Sequence, residues 1–79
     1  MQPTIQQRAA KQALGVLRSC GVGPGSEEQA VKRMLNAYLR TLGKRATPTG
    51  SALRELLIKY TEQPQTVGLY GWLIRMSMG

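Results

Sequence analysis

The sequence predicts an all-α fold, a small bundle of three amphipathic helices followed by a short apolar C-terminal helix. Three segments repeat apolar residues at the helical period, and connections rich in glycine, proline and small polar residues separate them. We expect the 79 residues to form a single domain, residues 1–79. So short a chain buries a small fraction of its surface, and a homodimer would bury more and stabilise the fold. A homodimer is therefore one possible state of this protein.

The first predicted helix covers residues 5–20 and begins after Pro3 and Thr4, which suit a helix N-terminus. Its apolar face, which is rich in alanine, holds Ile5, Ala9, Ala13, Val16 and Leu17. Its opposite face is basic and holds Arg8, Lys11 and Arg18. Because alanine is small, we expect another helix to approach the apolar face closely.

The second predicted helix, residues 26–43, has the clearest pattern in the chain. Ser26 is the expected N-cap, and Gly43 stands where a helix commonly ends in a left-handed conformation. The broad apolar face holds Ala30, Val31, Met34, Leu35, Tyr38, Leu39 and Leu42. The opposite face carries four residues without an acid among them, called the polar stripe below: Gln29, Arg33, Asn36 and Arg40.

A third helix is predicted to end near residue 62, and its start has two candidates. Thr47 would serve as N-cap with Pro48 at the first position, or Ser51 would cap a later start. We favour the later start because glycine, at position 50, is unfavourable inside a helix. The inner face holds Leu53, Leu56, Leu57 and Tyr60. Ile58 falls on the outer face, which is an irregularity of the pattern.

The last segment, residues 66–78, is predicted to be a helix with Thr66 as a candidate cap. Apolar residues occupy nearly its whole circumference: Val67, Leu69, Tyr70, Trp72, Leu73, Ile74 and Met76. A helix that is apolar all round is buried by its own domain or by a second copy of the chain. We therefore expect these residues to form core or interface.

The composition favours a binding protein over an enzyme. Eleven Lys and Arg oppose four acidic residues, and the net charge of +7 favours polyanionic partners. The chain has no His and no Asp, so we expect no catalytic residue, no cofactor and no metal site. The lone Cys20, the absence of a signal-peptide core and the absence of an apolar run of spanning length predict a soluble cytoplasmic protein.

The polar stripe is the most informative functional feature. Arginine pairs with guanine, and asparagine or glutamine with adenine, in the major groove of DNA. An ordinary solvated helix face uses the same residue types. The remaining bases that extend the positive surface are Lys44, Arg45, Arg8, Lys11 and Arg18. The sequence therefore predicts a small, basic, non-enzymatic nucleic-acid-binding regulator, with DNA and RNA both open.

Two other classes of function compete with this prediction. The chain could be a protein-interaction module, or a small regulator or inhibitor, that binds a larger protein or self-assembles through the apolar C-terminal helix. Membrane-surface binding is disfavoured, because the first helix is rich in alanine and the last carries one charge. The glycine-rich residues 21–25 lack the Lys-Ser/Thr pair of a phosphate loop and are expected to be a turn.

Overall fold

Four α-helices make up the regular structure of the computed structural model, which describes residues 4–43, 47–63 and 66–78. The helices are α1 (Ile5–Ser19), α2 (Glu28–Leu42), α3 (Pro48–Glu62) and α4 (Gly68–Met78). No strand occurs within the described ranges, and the all-α prediction is confirmed.

Helix α1 is the central helix and packs against the other three, most extensively against α4 and α3. It begins with a capping box, in which the Thr4 hydroxyl accepts from the Gln7 backbone N–H and the Gln7 side chain accepts from the Thr4 N–H. Ala9, Ala10 and Ala13 are fully buried, and their small side chains let the neighbouring helices approach closely.

The predicted apolar face of α1 is rotated in the structure. The spacing predicts Ile5 on that face, but Ile5 is 40% exposed, whereas Ala10 and Leu14 are buried. The buried face of α1 runs through its alanines and through Leu14 and Leu17, and α1 makes its most extensive contacts with α4 and α3. Arg8, Lys11 and Arg18 remain exposed on the outer side of the helix.

The predicted N-cap of α2 is wrong by one residue. The helix begins at Glu28 with Glu27 in the cap position, and Glu27 makes no side-chain cap hydrogen bond. Ser26 instead uses its hydroxyl to accept from the Gly23 backbone N–H at 3.1 Å. A serine hydroxyl accepts hydrogen bonds from backbone N–H groups in turns as readily as at helix ends. Here the N–H belongs to the glycine-rich connection. At the other end, Gly43 has a φ of 61°, a conformation that favours glycine.

The favoured start of α3 at Ser51 is also wrong, and the earlier alternative is correct. Thr47 is the N-cap, its hydroxyl accepts from the Gly50 backbone N–H, and Pro48 occupies the first turn. Gly50 is buried, and a β-carbon there would lie 2.7 Å from Thr47 Oγ1 and 3.1 Å from Leu42 Cδ1. A side chain at this position would displace the Thr47 cap hydroxyl and crowd Leu42, so glycine suits the first turn of α3.

One apolar core joins all four helices. Leucines supply most of its fully buried side chains: Leu17, Leu35, Leu53, Leu56, Leu69 and Leu73. The rings of Tyr60 and Trp72 meet in this core with centroids 5.5 Å apart and planes tilted by 43°. That tilted arrangement is one that aromatic pairs prefer.

A single carboxylate joins three helices at one end of the bundle. Glu28 Oε1, at the start of α2, accepts hydrogen bonds from the Tyr60 hydroxyl of α3 and from the Leu69 backbone N–H of α4, the latter at 2.9 Å. The Lys32 ammonium lies 5.8 Å from the centroid of the Tyr60 ring, a cation–π distance. The hydrogen bond from Tyr60, that from Leu69 and the charge of Lys32 lower the pKa of Glu28.

Candidate nucleic-acid interface

The polar stripe of α2 lies on the outside of the bundle. Gln29, Arg33, Asn36 and Arg40 are all exposed. Helical rise spaces the first and last of these residues about 16 Å apart along the axis. Val31, Leu35 and Leu39 bury α2 against the core, and Val31 and Leu35 lie on the side of the helix opposite the stripe. Core packing therefore fixes the stripe in an outward orientation.

The two arginines of the stripe are available to a ligand. Arg33 and Arg40 form no ion pair and no side-chain hydrogen bond with any residue of the described ranges. Glu28, the acid in the first turn of α2, directs its carboxylate toward Tyr60 and Leu69. An unpaired guanidinium keeps all its donors free for a phosphate or a carboxylate.

The stripe borders an open cleft between α2 and α3. The cleft has a volume of about 850 Å³, and Asn36 and Arg40 contribute to it from α2. Its other lining residues are Leu39, Gly43, Arg54, Leu57, Ile58, Thr61 and Glu62. The α2–α3 cleft exists because the two helices contact each other sparsely along this side.

Arg54 spans the cleft at the end where α2 terminates. One nitrogen of its guanidinium lies 3.5 Å from the carbonyl oxygen of Leu39 and 3.4 Å from that of Gly43. These are long hydrogen bonds, and the positive charge also complements the negative end of the α2 dipole. Arg54 thus adds a third basic side chain beside Arg33 and Arg40, one that the periodicity of α2 could not predict because it belongs to α3.

The basic residues of α1 and the polar stripe lie on neighbouring helices. The Gln12 side-chain amide of α1 donates to the Tyr38 hydroxyl, so α1 packs on the Tyr38 side of α2. Asn36 and Arg40 each lie two residues from Tyr38, which is roughly 160° around a helix, and they face α3 instead. Arg8, Lys11 and Arg18 are exposed on α1, and their part in a common binding surface stays a prediction. Lys44 and Arg45 lie outside the described residues.

The apolar residues of α4 divide between core and surface. Leu69, Tyr70, Trp72 and Leu73 are buried in the core, and Ile74 and Met76 are half-buried against it. Val67, which precedes the helix, is 41% exposed, and Met78 at its end is 78% exposed. The core thus takes up most of the apolar surface that α4 could offer to a partner.

No group of three or more acidic, Cys or His side chains that could hold a metal ion occurs in the described part of the chain.

Tyr60 has a pKa raised to about 12, first by burial and then by its hydrogen bond to Glu28. The partners of Glu28 could not be identified from the sequence, since Tyr60 and Leu69 lie 32 and 41 residues away.

No protein-family model matches the chain, and no curated protein or solved structure is significantly similar to it. Within the described ranges, every helix is too short or too polar to cross a membrane.

Proposed function

We propose that this protein binds nucleic acid through the polar stripe of α2. The observation that carries the proposal is the pair of exposed arginines, Arg33 and Arg40, that have no partner within the described residues. A row of basic side chains with no acidic residue among them attracts phosphates. Phosphate contacts dominate the affinity of most nucleic-acid complexes. The net charge of +7 adds long-range attraction.

The amides of the stripe supply a second kind of contact. Gln29 and Asn36 stand on the same exposed line as the two arginines, and amide side chains bond adenine through paired donor and acceptor atoms. Lys44 and Arg45 follow α2 directly in the sequence and would supply two further phosphate contacts. Phosphate contacts would position the helix, and the amides would read base edges.

Assembly through α4 is the second candidate function, and the structure offers less support for it. Four apolar residues of α4 are already buried within the chain, which leaves Met78 and, just before the helix, Val67 as the large exposed apolar side chains of this segment. Two isolated apolar residues are normal on a protein surface. We therefore rank nucleic-acid binding first.

Titration of labelled duplex DNA, single-stranded DNA and RNA at 50 and 200 mM salt tests the proposal. Four phosphate contacts give a slope of about −3.6 on duplex DNA, and so a loss of roughly 150-fold in affinity between the two salt concentrations. The Arg33→Ala/Arg40→Ala variant should reduce the magnitude of the slope by about 1.8.

A second double variant separates the site from general charge. Lys59 and Arg75 are exposed on α3 and α4, outside the stripe and outside the lining of the cleft. Lys59→Ala/Arg75→Ala removes the same charge, and we expect it to weaken binding far less. Equal losses in the two double variants, or no wild-type binding to any of the three nucleic acids at 50 mM salt, would exclude the proposed site.

A further inference from the structure

The α2–α3 cleft has an apolar wall of which Ile58 is the exposed part, since Leu39 is buried in the core and Leu57 packs against the core. Leu39 contributes from α2, and Leu57 and Ile58 contribute from α3. Ile58 is 57% exposed, although it is one of the more apolar side chains of its helix. A single exposed isoleucine is ordinary, but this one continues the apolar surface of a cleft.

The ends of the cleft differ in charge. Arg40 and Arg54 lie near the C-terminus of α2, where the Arg54 guanidinium approaches the Gly43 carbonyl oxygen. Glu62 lies at the opposite end, about 12 Å along α3 from Arg54. The cleft therefore combines an apolar middle with one strongly positive end.

We propose that the α2–α3 cleft binds an acidic amphipathic helix of a partner protein. The lining of α2 from Asn36 to Gly43 extends about 10 Å, which corresponds to two helical turns. Two apolar side chains of the partner, four residues apart, would contact Leu57 and Ile58. Its carboxylates would pair with Arg40 and Arg54. This arrangement is the helix-in-groove mode of recognition.

Two other occupants fit the cleft less well. Unpaired nucleobases stack best on aromatic rings, and no Tyr or Trp is among the described residues that line the cleft, which leaves only the guanidinium planes of Arg40 and Arg54 for stacking. A second copy of the chain carries the same net charge of +7, and so like charges would oppose each other. An acidic helix neutralises the basic side chains of the cleft, Arg40 and Arg54, and covers Ile58 at the same time.

The test uses a fluorescein-labelled, glutamate-rich peptide of roughly 15 residues, long enough to form a helix, with two leucines four residues apart. We expect saturable binding to the full chain by fluorescence anisotropy. Ile58→Gln should weaken binding about tenfold, and Arg40→Gln about threefold. Both residues are exposed, so circular dichroism should show both variants folded.

Matched controls distinguish the cleft from general attraction to a basic protein. Ile5→Gln removes an exposed isoleucine of α1, and Lys59→Gln removes an exposed base outside the cleft, so neither should change the Kd of the peptide. A peptide with both leucines changed to serine should lose most of its affinity. The proposal is overturned if the serine peptide binds equally well, or if Ile58→Gln has no effect.

Two further outcomes would assign the cleft to another occupant. If the free chain dimerises in sedimentation equilibrium and Ile58→Gln dissociates the dimer, the occupant is a second copy. If Ile58→Gln weakens RNA or DNA binding instead of peptide binding, the occupant is nucleic acid. Arg33 lies outside the cleft lining, so Arg33→Ala should weaken nucleic-acid binding alone. The two proposals can therefore fail separately.

Discussion

The carboxylate of Glu28, the first residue of α2, accepts a hydrogen bond from the hydroxyl of Tyr60 near the end of α3. The same oxygen accepts from the Leu69 backbone N–H in the first turn of α4. A negative charge at a helix N-terminus is favourable, because the N–H groups there lack partners within the helix. This contact closes the bundle at the end opposite the connection between α2 and α3.

The hydrogen bond should be measurable as a coupling energy between Glu28 and Tyr60. We expect Tyr60→Phe to lower the free energy of unfolding by about 1 kcal/mol, below the usual value for a bond to a charged group because Glu28 is exposed to solvent. Urea unfolding of Tyr60→Phe, Glu28→Ala and the double variant gives the coupling. Glu27→Ala is the control, and its effect should add independently to that of Tyr60→Phe. If the effects of Tyr60→Phe and Glu28→Ala on the free energy of unfolding simply add in the double variant, the contact is contradicted.

The same pair predicts losses of stability at both ends of the pH range. The pKa of Glu28 is lowered in the folded chain, so its contribution is present above the ordinary value of 4.5 and is lost as the pH falls through the lowered pKa. The pKa of Tyr60 is raised to about 12, so its contribution is complete below the ordinary value of 10.0 and is lost as the pH rises through 12.

Unfolding midpoints measured across pH test these two losses. We expect Glu28→Gln to lose less stability than the wild type as the pH falls from 7 through the lowered pKa of Glu28. We expect Tyr60→Phe to lose less between pH 10 and 12. Profiles that run parallel to that of the wild type in both variants would show that neither group titrates with a shifted pKa.

Features that depend on local periodicity were predictable from the sequence, and features that depend on helix placement were not. The polar stripe could be located because its residues recur at the helical period within one segment. The cleft could not, since it arises from the separation of α2 and α3 in space. Ile58 was the one local sign of it. The start of α3 depends instead on a local contact, in which the Thr47 hydroxyl accepts from the Gly50 N–H, and this cap outweighs the low helix propensity of glycine.

Trp72 should report on the integrity of the core. It is 8% exposed and packs against Tyr60, so its fluorescence should be blue-shifted and poorly quenched by iodide. Trp72→Ala should cost about 3–5 kcal/mol, which is enough to unfold a marginal domain of this size. Met78→Ala is the control on the same helix, and we expect almost no change because Met78 is exposed. A wild-type spectrum as red and as quenchable as that of free tryptophan would contradict the packing.

Two glycines within helices should respond oppositely to alanine. No atom lies within 4 Å of a β-carbon built at Gly15, so Gly15→Ala should raise the free energy of unfolding by about 0.5–1 kcal/mol. At Gly50 the β-carbon would displace the Thr47 hydroxyl from its cap position, and we expect Gly50→Ala to lower stability by about 1 kcal/mol. Thermal unfolding of both variants measures the difference. Equal stabilisation by the two substitutions would show that Gly50 is not sterically required.

Arg40 belongs both to the polar stripe and to the lining of the cleft, so the two proposed ligands should compete for it. We expect the acidic peptide, at ten times its Kd, to raise the apparent Kd for nucleic acid about elevenfold, because each bound peptide removes one competent molecule. The peptide with both leucines changed to serine controls for screening by its charge and should leave the Kd for nucleic acid nearly unchanged. A ternary complex detected by anisotropy of both labels would show that Arg40 is not shared. Competition would make this protein a nucleic-acid binder that an acidic helix releases.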